Sequence, residues 1–301
     1  DEWRKHFRRR PSHMVELPHY PWQVENFALP VSAEGGGLVA NNKEHPLLGY
    51  RTRGQDWTWE NQLDTMGAPW LADHQVGGSA VFPAAAFVEM VLAAGSLRHP
   101  GEAVQIEGFE VRTPLLLNAR HSKTVRFQLD QHSGLFQISS RDRLSEDPWQ
   151  PHAVGSLAAR PGMNLPNVPA AASDSEVFLT ASEVYATANT LGLDYGPSFQ
   201  AIEAVTGSGR QINATLRIPE PVAHEREKFH LHPALLDGAF HSLLALFHRR
   251  DDSELAPAYL PVRADRFVLA GRGEKPTRGA RDARAGSVDQ GKIREHREKG
   301  A

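Results

Sequence analysis

Cysteine is absent from the 301-residue sequence, and its absence removes several classes of function at once. Without cysteine there is no disulfide framework, no thiolate-bound zinc and no cysteine nucleophile. The net charge is only −3, which gives no electrostatic reason to expect binding to nucleic acid or to an anionic membrane. No apolar run approaches the roughly 18 to 20 residues of a membrane-spanning helix. We therefore expect no nucleic-acid partner and no membrane partner.

A start methionine and an apolar signal-peptide core are also missing, because the chain begins Asp1-Glu2-Trp3-Arg4. We interpret the chain as a piece of a longer cytoplasmic polypeptide. Hydrophobic residues make up 40% and charged residues 23%, as in ordinary globular proteins. A chain of this length can bury one large core or two smaller ones.

The most informative stretch runs from His74 through Gly78 to Pro83 and enters an apolar helix predicted over residues 84–97. Histidine can transfer a proton near neutral pH, and glycine lets a backbone N–H approach a ligand closely. Proline is favoured at the first helical position. The helix is apolar on nearly every side, with Glu89 as the exception, so we expect it to be buried all round.

Strand-like runs surround this helix and are separated by turn residues at spacings typical of an antiparallel sheet. Before the helix, Trp57, Trp59 and Leu63 have the period-two spacing of a half-buried strand. These features predict an α+β lobe in which a curled sheet wraps one buried helix. The predicted strands after the helix are Val104–Val111, Leu115–Leu117, Val125–Leu129, Leu135–Ser139 and Val154–Ala158.

The second half of the chain repeats this layout after a segment rich in Pro, Asn, Ala and Ser that we interpret as an inter-lobe linker. Two copies of the same arrangement indicate a duplicated lobe. The elements predicted there are helices over 182–190 and 232–247 and strands over 201–207 and 212–218.

Asp237 and His241 are four residues apart in the second apolar helix, so their side chains share one face. A carboxylic acid buried in apolar surroundings has a raised pKa, which suits a general acid. The simpler alternative is an aspartate favoured by the helix dipole with a histidine nearby.

Three motifs in order carry a resemblance to a known family. The sequence resembles the dehydratase domain of a modular (type I) polyketide synthase over about residues 17–270. Any one of the motifs is weak, but their order and spacing together are specific. The motifs are His74-x3-Gly78-x4-Pro83, Tyr195-Gly196-Pro197-x-Phe199 and Asp237-x3-His241.

The resemblance implies a double hotdog fold, an α+β architecture in which each of two antiparallel sheets wraps a long buried helix. The chain would then divide into an interdomain linker that follows an acyltransferase-like region (1–40), an N-terminal hotdog lobe (41–160), an inter-lobe linker (161–175), a C-terminal hotdog lobe (176–270) and a tail outside the family (271–301).

The resemblance also implies an activity, the dehydration of a 3-hydroxyacyl thioester to the 2,3-enoyl thioester during polyketide chain building. His74 would remove the α-proton, Asp237 would protonate the departing β-hydroxyl, and His241, where many relatives carry glutamine, would orient Asp237. Tyr195 would bind near the hydroxyl, and the Gly78 amide would polarise the thioester carbonyl.

Pro83, Gly196 and Pro197 would complete the group that positions substrate. The chemistry needs no metal and no cofactor. The partners implied are an acyl carrier protein with a phosphopantetheine-linked acyl chain and neighbouring polyketide synthase domains. A homodimer is a further expectation.

Other interpretations remain open at this point. His74, His232, Asp237 and His241 could instead ligate a metal in a hydrolase. A domain of the same fold could shift a double bond or steer cyclisation. The chain could also be a non-catalytic lobe, because the segment 271–301 has few large aliphatic residues. We expect that tail to be disordered and the second sheet to be incomplete, with impaired activity as a result.

Overall fold

The computed structural model of the protein describes residues 43–52, 57–161, 176–208, 211–245, 262–269 and 283–284. The predicted linker at 1–40 lies outside these residues, as do nearly all of the predicted linker at 161–175 and all of the tail except 283–284. The domain boundaries therefore remain predictions.

The first apolar helix, α1 (Ala84–Arg98), forms where it was predicted. Pro83 directly precedes it in an extended conformation, and its carbonyl accepts the first helical hydrogen bond, from Ala86 N–H. All side chains from Ala85 to Gly95 are buried, including that of Glu89. The helix is therefore a core element surrounded on all sides, as its composition indicates.

Most strands of the first half belong to a seven-stranded antiparallel sheet, and α1 packs on two of them, β5 (Val104–Val111) and β8 (Gln150–Ala159). The alternation of buried and partly exposed residues along β2 and β6 fits a sheet with one face toward the core. In sheet order its strands are β1 (Tyr50–Arg51), β2 (Thr58–Leu63), β6 (Lys123–Leu129), β7 (Leu135–Asp142), β8 (Gln150–Ala159), β5 (Val104–Val111) and β13 (Arg263–Leu269).

One predicted strand of the first half, Leu115–Leu117, does not form. Only an isolated bridge joins Leu116 to Val81, and the Leu116 side chain is exposed. The segment instead makes isolated backbone hydrogen bonds to the residues just before α1. Phe82 N–H donates to the Leu115 carbonyl, and Leu117 N–H donates to the Ala80 carbonyl. It is a connection rather than a member of the sheet.

The second half builds a smaller sheet of four strands within the described residues. Its helix α2 (Ala181–Thr190) begins with a capping box between Thr180 and Glu183. In sheet order the strands are β14 (Ala283–Arg284), β12 (Gln211–Leu216), β11 (Ile202–Ser208) and β9 (Glu176–Thr180).

Two strands differ from the sequence prediction. β13, which falls within the predicted C-terminal lobe (176–270), pairs with β5 of the first sheet, with Phe267 opposite Ile106. β14 lies in the segment 271–301 that we expected to be disordered, and Arg284 pairs there with Thr215 of β12. The second sheet thus receives a short strand from the tail.

The second apolar helix, α3 (Pro233–His241), is shorter than the predicted 232–247 and continues as a 3₁₀ turn over Ser242–Leu244. The Ser242 hydroxyl donates to the Ala239 carbonyl at 2.6 Å and competes for a carbonyl near the helix end. Residues 246 and 247 lie outside the described part of the chain.

A three-stranded sheet joins the two halves, in the order β10 (Leu193–Tyr195), β3 (His74–Val76) and β4 (Ser79–Ala80). Helices α1 and α3 also pack against each other, and both halves contribute to one hydrophobic core. None of the helices in the described residues has the length and apolar composition needed to cross a membrane.

Candidate active site

His74 is buried at the start of β3 and has a defined tautomer. Its Nδ1 lies 2.8 Å from the Val81 carbonyl oxygen, which can only accept, so Nδ1 carries the proton. The other nitrogen, Nε2, is then free to accept a proton. It lies 3.5 Å from Oδ2 of Asp237.

Asp237 and His241 form a buried pair on α3. The distance between Asp237 Oδ2 and His241 Nε2 is 2.7 Å, within hydrogen-bond range. One carboxylate oxygen therefore faces two imidazoles, one from each half of the chain. The spacing of four residues on a helix produces the first contact, and the packing of α3 beside His74 produces the second.

Electrostatics make His74 a neutral base. Burial lowers the pKa of His74 below its ordinary value, and the Asp237 carboxylate offsets only part of this effect. The imidazole is therefore uncharged at neutral pH and has an acceptor nitrogen aimed at the site.

The expectation of a raised pKa for Asp237 is wrong in this structure. Burial alone raises the pKa of Asp237, but the neighbouring imidazoles of His241 and His74 outweigh burial and leave that pKa below its ordinary value. Asp237 is thus ionised at rest. The sequence indicated only the burial of Asp237, because the approach of the two imidazoles is a tertiary contact.

Two buried tyrosines enclose the pair. The Tyr195 ring lies 3.8 Å from the His241 ring and 5.4 Å from the His74 ring, centroid to centroid. The antiparallel register of β10 and β3 places Tyr195 opposite His74. Tyr185 of α2 packs edge-on against His241 at 5.9 Å. Burial raises the pKa of both phenols, so they remain protonated and can donate hydrogen bonds.

Asp73 explains two features of the Tyr195-Gly196-Pro197 motif. Its Oδ2 accepts a hydrogen bond from Ser198 N–H at 2.9 Å, and its carbonyl accepts one from Gly196 N–H at 2.8 Å. A Cβ on Gly196 would lie 2.5 Å from the Asp73 carboxyl carbon. Glycine is therefore required here by the close approach of Asp73, and this approach fixes the loop that follows Tyr195.

Gly78 lies in the two-residue turn between β3 and β4, after Gly77. The φ angles of Gly77 and Gly78 are +56° and +76°, the left-handed pair that a type I′ hairpin turn requires. Gly77 N–H also bonds to the Gly192 carbonyl. Gly78 and Pro83 flank the site rather than join its side-chain contacts, and the role of the Gly78 amide stays a prediction.

His232 is not brought into the group formed by His74, Asp237 and His241. It occupies the N-cap of α3, where Nδ1 accepts a hydrogen bond from Ala234 N–H at 3.2 Å. Within the described residues, the ligand atoms close enough to share a metal belong to a different group, His45, Glu89 and His230. This geometry gives no support to the metal-dependent hydrolase alternative.

Comparison with known proteins decides the family. The polyketide synthase dehydratase domain model matches residues 45–141, and the polyketide synthase dehydratase N-terminal domain model matches residues 165–294. The chain belongs to the dehydratase domains of type I polyketide synthases. The second match reaches residue 294, so much of the segment that we expected to lie outside the family falls within it.

Curated relatives are far longer than this dehydratase domain. The chain is 32% identical over 262 residues to the spectinabilin polyketide synthase system protein NorA′ of Streptomyces orinoci. The match covers 81% of this chain but 7% of that protein. The matched segment is therefore a small part of a polyketide synthase.

Solved structures confirm the double hotdog fold. The dehydratase domain from the CurJ module of curacin polyketide synthase matches with a TM-score of 0.67 at 25% identity, over 77% of this chain and 82% of that one. The CurK dehydratase also matches as two inactive variants, with TM-scores of 0.64 and 0.63 at 25% and 26% identity, over 74% of this chain and 82% of each. One variant replaces an aspartate with asparagine and the other a histidine with phenylalanine. Dehydratase domains of this family are hydro-lyases that remove water from a hydroxyacyl thioester.

Sequence reasoning did not identify Asp73, Tyr185 or Glu89 as residues that support the site. Asp73 directly precedes His74 in the sequence, but its role depends on its close approach to Gly196, which is a contact between distant parts of the chain. Tyr185 had no distinguishing spacing. Glu89 was noticed as the polar exception in α1, but its partners lie on distant segments, as described below.

Proposed function

We propose that this domain catalyses the dehydration of a 3-hydroxyacyl thioester, with His74 as the base and the Asp237–His241 pair as the acid. The observation that carries this proposal is the 3.5 Å separation of His74 Nε2 and Asp237 Oδ2 in a buried site. A base and an acid that act on adjacent carbon atoms must each reach the proton they transfer, and their closeness here lets one substrate contact both.

In the base step, His74 Nε2 takes the proton from the α-carbon of the thioester. Two features of His74 suit it to this role: its low pKa keeps Nε2 unprotonated, and the Val81 carbonyl fixes its tautomer. The electron pair of the C–H bond becomes the new double bond between the α- and β-carbons. Charge that develops on the thioester carbonyl needs a hydrogen-bond donor, and we assign this role to the Gly78 amide.

In the acid step, the bond from the β-carbon to its hydroxyl breaks, and the hydroxyl leaves as water with a proton from the Asp237–His241 pair. Because the pKa of Asp237 lies below its ordinary value and His241 Nε2 lies 2.7 Å from its Oδ2, we assign storage of the proton to His241 and delivery to Asp237. Tyr195, whose phenol stays protonated, would hydrogen-bond to the hydroxyl, and Pro83, Gly196 and Pro197 would hold the surrounding backbone.

The catalytic cycle is completed by proton transfer between His74 and the Asp237–His241 pair. After water leaves, His74 holds the proton taken from carbon, and the pair lacks one. The 3.5 Å approach of Asp237 Oδ2 to His74 Nε2 allows that proton to return directly. No metal or cofactor enters this scheme.

Partners and location follow from the family context and remain part of the proposal. The curated relatives are polyketide synthases of which this domain would form a few per cent, so neighbouring synthase domains are its context. We propose an acyl carrier protein as the substrate carrier and a homodimer as the assembly. A cytoplasmic location agrees with a chain that has no cysteine for disulfides.

The test is incubation of the 301-residue chain with a short 3-hydroxyacyl thioester, free and on an acyl carrier protein, followed by mass spectrometry. We expect loss of one water with both substrates, faster on the carrier, and no effect of EDTA. Two CurK variants, one changed at an aspartate and one at a histidine, are inactive, which supports the choice of residue types. A shifted double bond without loss of water would favour the isomerase alternative, and no reaction would favour a non-catalytic lobe.

A further inference from the structure

Glu89 is a carboxylate in the middle of the buried helix α1, with no solvent exposure. It is the only acidic residue of that helix. Burying an ionised carboxylate is costly unless hydrogen bonds compensate it. A position that retains one in an otherwise apolar helix therefore demands a structural explanation.

The partners of Glu89 come from the second half of the chain. Oε1 accepts a hydrogen bond from His230 N–H at 2.7 Å, and Oε2 accepts one from Leu231 N–H at 3.0 Å. These residues directly precede His232, the N-cap of α3. Each oxygen of Glu89 is thus bound to the backbone just before the helix that carries Asp237.

His45 completes the network from the other side. Its Nδ1 faces the N–H groups of Leu47 and Leu48 at 3.2 and 3.4 Å, so Nε2 must carry the proton and donates to Glu89 Oε1 at 3.2 Å. The His230 ring nitrogen lies 3.5 Å from the same oxygen. Burial alone would raise the pKa of Glu89, but the hydrogen bonds from His230 and His45 outweigh it, so the carboxylate is ionised.

These three side chains have ligand atoms close enough to hold a metal. The hydrogen bonds favour a proton network instead, because His45 Nε2 is a donor and both Glu89 oxygens already accept backbone N–H groups. A metal would have to displace these donors.

We infer that Glu89 is a positioning residue that sets Asp237 against His74 by binding the backbone of His230 and Leu231. The inference deepens the proposed function and rests on it for its kinetic consequence. His74 comes from the first half and Asp237 from the second, so their 3.5 Å distance depends on how the halves are joined. Glu89 provides a direct link close to α3 through two charge-assisted hydrogen bonds. A displacement of about 1 Å in such a site can reduce the rate on the order of 100-fold.

The experiment compares Glu89→Gln with Ser140→Ala in the full chain. Glutamine keeps the shape of the side chain but offers only one acceptor oxygen, so one N–H of His230 or Leu231 faces an NH₂ group. Ser140→Ala removes another buried hydrogen bond, 2.7 Å long to His152. This bond joins β7 to β8, and neither strand is among the main packing partners of α3. It controls for a general loss of stability.

We expect Glu89→Gln to lower kcat about 10- to 100-fold with KM changed by less than about twofold, because alignment and not binding is lost. Hydrogen exchange of the His230 and Leu231 amides should accelerate in Glu89→Gln while amides of β6 and β7 stay unchanged. Ser140→Ala should keep the wild-type kcat, and its exchange at His230 and Leu231 should be unaltered.

Several results would overturn the inference. One is a kcat for Glu89→Gln equal to that of Ser140→Ala; another is unchanged exchange at His230 and Leu231. Zn²⁺ that raises the melting temperature of the wild type but not of Glu89→Gln would replace the positioning role with a metal site.

The inference stays testable if the proposed function or the variant fails. If the wild type does not dehydrate any thioester, the proposed function fails, and the exchange pattern alone decides the role of Glu89. If Glu89→Gln does not fold, the wild type decides: the amides of His230 and Leu231 must exchange as slowly as those in the centre of α1, and fast exchange there contradicts the link.

Discussion

Tyr195 stands directly opposite His74 in the antiparallel pairing of β10 and β3, although the two residues come from different halves of the chain. The pairing continues to Leu193 and Val76, and the Gly77 N–H extends it to the Gly192 carbonyl. Backbone pairing of the two strands therefore holds the proposed base, His74, beside the Tyr195 phenol. Asp237 approaches His74 from α3, so β3, β10 and α3 all contribute a side chain at this position.

His241→Gln separates proton storage from orientation. A glutamine amide can donate a hydrogen bond to Asp237 Oδ2, which lies 2.7 Å from His241 Nε2, but it cannot serve as an acid near neutral pH. The proton of the pair then has only a carboxyl to reside on. A carboxyl loses its proton at a lower pH than an imidazole does. The descending limb of kcat against pH should therefore move to lower pH, by on the order of one unit. Stopped assays across the pH range measure this shift.

His241→Ala is the control for that comparison, because it removes the 2.7 Å contact with Asp237 as well and should lower kcat at every pH. If His241→Gln has the same pH profile as the wild type, His241 only orients Asp237 and stores no proton.

Gly196→Ala should destabilise the fold and slow dehydration. The new Cβ would lie 2.5 Å from the Asp73 carboxyl carbon, so Asp73 or the loop after Tyr195 must move. Overpacking of this kind costs about 1 to 3 kcal/mol. Denaturant unfolding and kcat measure the two effects.

Gly67→Ala is the matched control, since its Cβ would meet only an ordinary 3.4 Å contact with Asp64. Replacing Asp73 as well should remove part of the effect of Gly196→Ala, because the two residues are in direct contact. Strict additivity of the two substitutions would contradict the account of Gly196.

His232 should make the fold sensitive to acid. Burial lowers the pKa of His232 to about 4, whereas an unfolded histidine titrates near 6.5. Below pH ~6.5 the unfolded chain binds a proton that the folded chain excludes, so stability is complete above that pH and falls as the pH drops toward 4. The loss from this group is about 2 to 3 kcal/mol.

His232→Asn keeps a side-chain acceptor at the N-cap but does not titrate. The free energy of unfolding of His232→Asn should therefore fall less between pH 7 and pH ~4.5 than that of the wild type. Parallel pH dependence for the two proteins would show that His232 is not the group responsible.

The sequence was most informative where chemistry and local spacing coincide. The helix at residues 84–98 and the Asp237–His241 pair follow from composition and a four-residue spacing. Long-range pairing could not be read in this way: β13 has the pattern of any half-buried strand, and nothing local indicates that it adds to β5 of the first sheet. The tail from residue 271 looked unsuited to a core strand, yet Ala283–Arg284 adds to β12 through backbone bonds that need no apolar side chain.

The site follows the same division. His74, Asp237 and Tyr195 were identified from motifs, and the structure brings them together. The direction of the pKa shift of Asp237 was wrong because it depends on two imidazoles whose approach is a tertiary property. Glu89 was visible as one polar residue in an apolar helix, but its role depends on backbone groups far along the chain.

The most direct test of the central claim is the rate of water loss from a 3-hydroxyacyl thioester in His74→Ala and Asp237→Asn, beside the wild type. His121→Ala, which changes an exposed histidine, is the control and should keep full activity. A general acid or base typically contributes about 10² to 10⁴ in rate, so each active-site variant should lose at least that factor while circular dichroism shows an unchanged fold. If a folded His74→Ala or Asp237→Asn dehydrates the thioester within about threefold of the wild-type rate, the assignment of base and acid is contradicted.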